Sequence, residues 1–161
     1  MKNRNYIYVA VLASLAVVIN IIENLFIPPV GFGIRFGLAN IISLVSLKLF
    51  SIKEMLMVIF VRLTVGNLLK GTIFGVSFWI PASGLFLSSV AIIVMDKLDC
   101  SIRFTSMMSA IFHSIGQLLA VVYLYRQVRI AALLPMLIIV SLVAGTITGY
   151  ISELVIRRFR H

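Results

Sequence analysis

Apolar residues run through this chain in long blocks, and most of the charge falls in the breaks between them. Against a template of about 20 apolar residues per membrane crossing, six segments emerge, at roughly 6–27, 34–50, 54–69, 73–95, 104–125 and 131–156. The second and third are short and parted only by Ser51-Ile52-Lys53-Glu54, which predicts a tight hairpin at one membrane face. The pattern predicts an all-α polytopic membrane protein, a six-transmembrane-helix bundle forming a single domain over residues 1–161. Lys2 and Arg4 ahead of an apolar run with small residues from Ala10 to Ala16 have the outline of a cleaved leader. The run continues to Ile27, however, so the expectation is a retained first helix.

Composition sharpens this picture. Hydrophobic residues make up 61% of the chain and charged ones 12%, against about 25% charged in soluble domains, and the mean hydropathy is +1.15. The net charge of +9 sits mostly at the ends of apolar runs, where cations meet lipid headgroups, so a nucleic-acid partner is not expected. With a single cysteine, Cys100, the chain has no intrachain disulfide and no thiol cluster for a metal; neither metal nor cofactor is expected. Lys2, Arg4, Lys48, Lys53, Lys97, Arg103, Arg157, Arg158 and Arg160 fall on one face, and Arg35, Lys70, Arg126 and Arg129 on the other. Because short cytoplasmic connections hold the excess of Lys and Arg, both termini are expected on the cytoplasmic side of the cell membrane.

Arg62 belongs to neither face. It lies inside MLMVIFVRLTVGNLLKGTIFG, where an arginine costs roughly 2.5–3.5 kcal/mol near the bilayer centre unless something compensates it. With the predicted topology, the first helix carries Asn20, Glu23 and Asn24 on one face near its outer end. The third carries Arg62, then Asn67 and Lys70, and the fifth carries His113 and Gln117 one turn apart. The connection IPPVGFGIRFGLAN adds Arg35 among closely spaced prolines and glycines, then Asn40; irregular backbone at membrane depth is tolerated where it lines a cavity. These groups predict an outward-facing, net positive pocket for a small polar or anionic solute, built from Glu23, Asn24, Arg35, Asn40, Arg62, Asn67, Lys70, His113 and Gln117.

Each piece has a plainer reading. Arg62 serves equally well as an ion-pair partner of Glu23, His113 and Gln117 as cross-helix hydrogen-bonding groups, and Arg35 and Lys70 as headgroup anchors. Ser141, Gly145 and Gly149 form a small-residue stripe on the last helix, and Ala10 with Ser14 repeats it on the first; such stripes pack helices either internally or against a partner. GNLLKGT lacks the spacing of a phosphate-binding loop, so no ATP site is expected.

The stretches GIRFGLANI, VRLTVGNLLKGTIFG and HSIGQLL, in that order, resemble the signatures of the Gx transporter family, also known as heptaprenyl diphosphate synthase component I. That family is similar to the substrate-binding (S) components of energy-coupling factor transporters. The usual HN pair of the family reads His113-Ser114 here, which removes one amide from the site. The resemblance implies a membrane protein that binds a scarce solute and works with a transmembrane coupling subunit and two ATPases. It also implies docking of the coupling subunit on small residues of the first helix, here Ala10, Ala13, Ser14 and Ala16. The synthase name implies a competing role in prenyl chain elongation. Such catalysis needs aspartate clusters that hold diphosphate through Mg²⁺. The nearest approach, Asp96 and Asp99 in DKLD, lies on the opposite face from the pocket; no catalytic residue is expected, and an accessory, non-catalytic membrane subunit is the alternative. A stand-alone channel or carrier is a third.

Overall fold

A computed structural model describes residues 2–26, 37–73 and 75–160, except for the side chains of 2–6, 24–26 and 160. Among the described residues six α-helices follow one another: α1 (Lys2–Phe26), α2 (Asn40–Leu49), α3 (Ile52–Leu69), α4 (Val76–Lys97), α5 (Ile102–Tyr125) and α6 (Leu134–Arg160), with a 3₁₀ turn, Val128–Leu133, before the last. Each falls on a segment expected from the apolar pattern, α2 over only part of it. Among the described residues three stretches are long and apolar enough to cross a membrane by length and composition: Val76–Lys97, Ile102–Tyr125 and Val128–Phe159.

α2 departs from its expected range. The apolar pattern predicts helix from residue 34 to 50, but the helix starts at Asn40, because Gly37 takes a left-handed conformation (φ +70) and the next two residues form a turn. At 1.5 Å per residue, its ten residues reach about 15 Å, half of a hydrocarbon core near 30 Å, so α2 does not cross alone. It is instead the internal post of the bundle, packed against α1, α3, α5 and α6, with Ile42 through Leu47 all buried.

Two apolar clusters hold it there. Leu44 and Leu47 meet Met55, Ile59, Leu85 and Ile92 from α3 and α4, while Ile42 meets Val9, Ala13, Ala16 and Val58 from α1 and α3. Ala13 and Ala16, 3% and 0% exposed, therefore belong to this chain's own core. That corrects their expected place on a docking face: of the four small residues on α1, Ala10 and Ser14 remain exposed.

The α2–α3 turn owes its tightness to Ser51-Ile52-Lys53-Glu54. Ser51 Oγ accepts the Lys53 N–H (3.3 Å), capping the start of α3, and donates to the Glu54 carboxylate. Ser101 opens α5 similarly, accepting the Phe104 N–H at 3.3 Å. At this end Lys48, in the last turn of α2, pairs with Asp96, near the end of α4. Arg103 and Arg157 both hold Glu153, at 2.5 and 2.6 Å.

Helices α4, α5 and α6 pack nearly backbone to backbone. A β-carbon on Gly116 would stand 2.7 Å from the Ser83 carbonyl oxygen, and one on Gly145 would stand 2.7 Å from the Met107 α-carbon. Gly149 is as confined, 2.9 Å from Ser106 Cβ. The α6 stripe of Ser141, Gly145 and Gly149 thus packs internally, against α5, where small residues allow the close approach that dispersion rewards in lipid.

Candidate functional site

Where α1 and α3 end and α4 begins, all six helices turn polar or small side chains to one cavity. Its space for the centres of water-sized molecules is about 70 Å³, several times the 10–15 Å³ that holds one water. Asn20 and Glu23 come from α1, Arg62, Gly66 and Asn67 from α3 with Lys70 at its end, and Asn40 from the start of α2. Pro81 and Leu85 of α4, His113 and Ser114 of α5, and Ser141 and Thr148 of α6 close the other side.

Local sequence places each group. Glu23 is 3% exposed, and its Oε1 accepts the Gly37 N–H at 2.6 Å, so the turn that delays α2 also secures the carboxylate. Asn67 is committed to closing α3: its Nδ2 donates to the Leu63 carbonyl (2.7 Å) and its Oδ1 accepts from the Thr72 hydroxyl (3.0 Å). Just beyond, Gly71 takes φ +64 and the chain leaves the helix. Lys70 Nζ reaches back to Asn20 Oδ1 at 3.2 Å, joining α3 to α1, and a β-carbon on Gly66 would sit 3.8 Å from the same oxygen. Asn40 Nδ2 donates to Ser109 Oγ at 2.8 Å, tying α2 to α5. Ser114 and Ser141 share a 2.5 Å hydrogen bond between α5 and α6. Pro81, without an N–H, removes one rung of the α4 ladder at the cavity wall.

Six residues expected from the sequence stand on this wall together: Glu23, Asn40, Arg62, Asn67, Lys70 and His113. Gln117 does not; its Cγ lies 2.7 Å from where a Gly84 β-carbon would be, within the α4–α5 packing. The side chain of Asn24, and Arg35 altogether, lie outside the described residues. Sequence reasoning missed Ser141 as a wall residue because its small-residue stripe reads as helix packing, which it also serves, and Thr148 because a threonine within an apolar run gives no signal of its own. Asn20 was visible in the polar face it shares with Glu23.

Arg62 is 6% exposed and shares its cavity with the Glu23 carboxylate and the Lys70 ammonium. Two cations against one carboxylate leave the wall net positive, and partial dehydration strengthens charge-assisted hydrogen bonds to a ligand. Among the described residues, no three His, Cys, Asp or Glu side chains gather as a metal site requires. Asp96 is engaged by Lys48 at the other end of the bundle, one turn from the exposed Asp99.

No curated protein and no solved structure matches the chain. A family model does, over residues 12–155, from within α1 to within α6, and so takes in every described wall residue of the cavity. Its description is heptaprenyl diphosphate synthase component I, and the chain belongs to that family.

Proposed function

We propose that this membrane protein is the solute-binding component of an uptake transporter of the energy-coupling factor type, taking a small polar or anionic solute from the outer side of the cell membrane. The observation that carries this is the convergence of Glu23, Asn40, Arg62, Lys70 and His113 from four separate parts of the chain onto one net positive cavity. A purely structural arginine needs one counter-charge; a wall that also gathers amides, a second cation and an imidazole is suited to a ligand. Uptake then depends on a transmembrane coupling subunit and two ATPases. On α1, Ala10 and Ser14 remain for docking that subunit, one turn apart on an exposed face with Val11 and Leu15.

The test is direct. The full chain, purified gently, is analysed by mass spectrometry for small molecules it carries, and each candidate is titrated against the wild type and the Arg62→Ala and His113→Ala variants. Affinity should fall by about 2 kcal/mol or more in each variant, as expected for charge-assisted bonds in a partly dry cavity. Wild-type affinity in both, with the fold intact, would move the site elsewhere.

The family description favours a second reading, a non-catalytic membrane subunit beside a prenyl diphosphate synthase. The name "component I" speaks of another component, and the five acidic residues of this chain include no aspartate-rich cluster for Mg²⁺–diphosphate. Co-purification with a prenyltransferase, together with a change in its product length or rate on adding this chain, would support that role over uptake.

A further inference from the structure

Among the described glycines all but one have a visible reason to be glycine. Gly37 and Gly71 take left-handed φ angles of +70 and +64, and Gly75 stands at the N-cap of α4. A β-carbon on Gly84, Gly116, Gly145 or Gly149 would come within 2.7 to 2.9 Å of a neighbouring atom. Gly66 is the exception. It lies inside α3 with ordinary helical backbone, and a β-carbon there would meet only Asn20 Oδ1, at 3.8 Å, which is normal contact. Glycine in a helix interior is less stable than alanine, so neither backbone nor packing accounts for it.

Its position does. Gly66 is buried and lines the cavity, and Arg62 and Lys70 line it one turn before and one turn after, each about 6 Å away along the helix axis. The missing side chain leaves a notch of bare backbone in the α3 wall, with a cation at each end and Asn20 beside it. Lys70, at the C-cap, also offsets the carbonyl oxygens that end α3, which by themselves would disfavour an anion. With Glu23 set against Arg62 and Lys70, the described wall keeps one net positive charge, which one anionic group balances.

We propose that the Gly66 notch is the subsite that seats the anionic head group of the solute, so that Gly66 is a glycine for the room it leaves and not for the fold. The assignment deepens the solute-binding role above and rests on it. It adds a residue without polar atoms to the binding wall, placed there because an added methyl group would fill the space between two cations.

The test uses two thiol reagents of opposite charge and similar bulk, sulfonatoethyl and trimethylammonioethyl methanethiosulfonate, the first serving as the anionic probe. Gly66→Cys and Ser77→Cys variants of the full chain, each with Cys100→Ser, are labelled in lipid nanodiscs, where both faces are open to the reagents. Both reagents attack the thiolate, so effects on the thiol itself cancel in the ratio of their rates. Ser77, exposed in the first turn of α4, sets the reference ratio. The anion-to-cation ratio at Gly66→Cys should exceed it by about tenfold, as fields in charged clefts do, and should fall severalfold when Lys70→Gln removes the charge but keeps a donor for Asn20. Gly66→Ala should melt no lower than the wild type. Equal ratios at the two positions, no reaction at Gly66→Cys, or a ratio indifferent to Lys70→Gln would overturn the subsite. A clear fall in the melting temperature of Gly66→Ala or Gly66→Cys would overturn it as well, by showing that packing requires the glycine. A failed notch leaves the cavity to be judged by Arg62→Ala and His113→Ala, and a cavity in which no solute is found leaves the labelling result standing.

Discussion

At the scale of single residues, the charges on the cavity wall make the sharpest demands. Glu23 and Arg62 are buried, of opposite sign, and line the same cavity. Truncating either leaves the other charge in a low-dielectric wall, which typically costs about 3–5 kcal/mol, so Glu23→Ala and Arg62→Ala should each destabilise strongly while the double variant costs less than their sum. Thermal melts of the four forms in detergent measure this; additive losses would mean that the two charges are compensated separately. The bond from Gly37 N–H to Glu23 makes a finer distinction. Glu23→Gln keeps an acceptor for it and Glu23→Ala does not, so the glutamine variant should be the more stable by about 1 kcal/mol or more.

Elements are held by glycines of two kinds, and substitution separates them. At Gly37 a methyl group meets nothing within 4 Å, but φ +70 is left-handed. Gly37→Ala should therefore cost about 1–2 kcal/mol, all of it conformational, and Gly37→Asn less, because asparagine tolerates that region. At Gly145 the backbone is ordinary, but a β-carbon would strike Met107 Cα at 2.7 Å, which cannot rotate away as a side chain does. Gly145→Ala should force α5 and α6 apart and cost about 1–3 kcal/mol or more. Equal effects of Gly37→Asn and Gly37→Ala, or a neutral Gly145→Ala, in chemical or thermal unfolding would contradict these assignments.

For the whole molecule the question is whether it moves a solute unaided. The proposed function makes it a binding component, without a nucleotide site of its own, so the purified chain in liposomes should bind its ligand and not concentrate it. Adding the coupling subunit and ATPases should confer ATP-dependent accumulation. Concentrative uptake by the chain alone would instead favour a stand-alone carrier. Docking is tested at the same scale: Ala10→Leu and Ser14→Leu alter an exposed face of α1 and should weaken assembly while leaving the fold unchanged, whereas Ala13→Leu and Ala16→Leu should damage the fold itself.

Much of this was legible in the residues. The apolar blocks and the charges that punctuate them determined the place of each described helix and the approximate bounds of all but α2, because an uninterrupted apolar run has to satisfy its backbone internally as helix. The polar faces of α1 and α3, with Asn40 at the start of α2 and His113 on α5, named six of the wall residues, since an ionisable group in an apolar run needs a polar neighbour wherever it goes. Tertiary structure decided the rest. A left-handed glycine and a turn put the start of α2 at Asn40 although the largely apolar run begins at residue 34, because hydropathy does not encode φ. Small residues spaced three and four apart carry the same signal whether they face a partner or their own core, and only the position of α2 put Ala13 and Ala16 inside. Gln117 has the chemistry of a wall residue, yet the close approach of α4 at Gly84 directed it into packing; which side of α5 meets that neighbour is a property of the assembled bundle. The serines followed the same rule in reverse. Ser43 and Ser46 are ordinary helix residues until the neighbouring helices cover them, and burial is a relation between helices that no single helix contains.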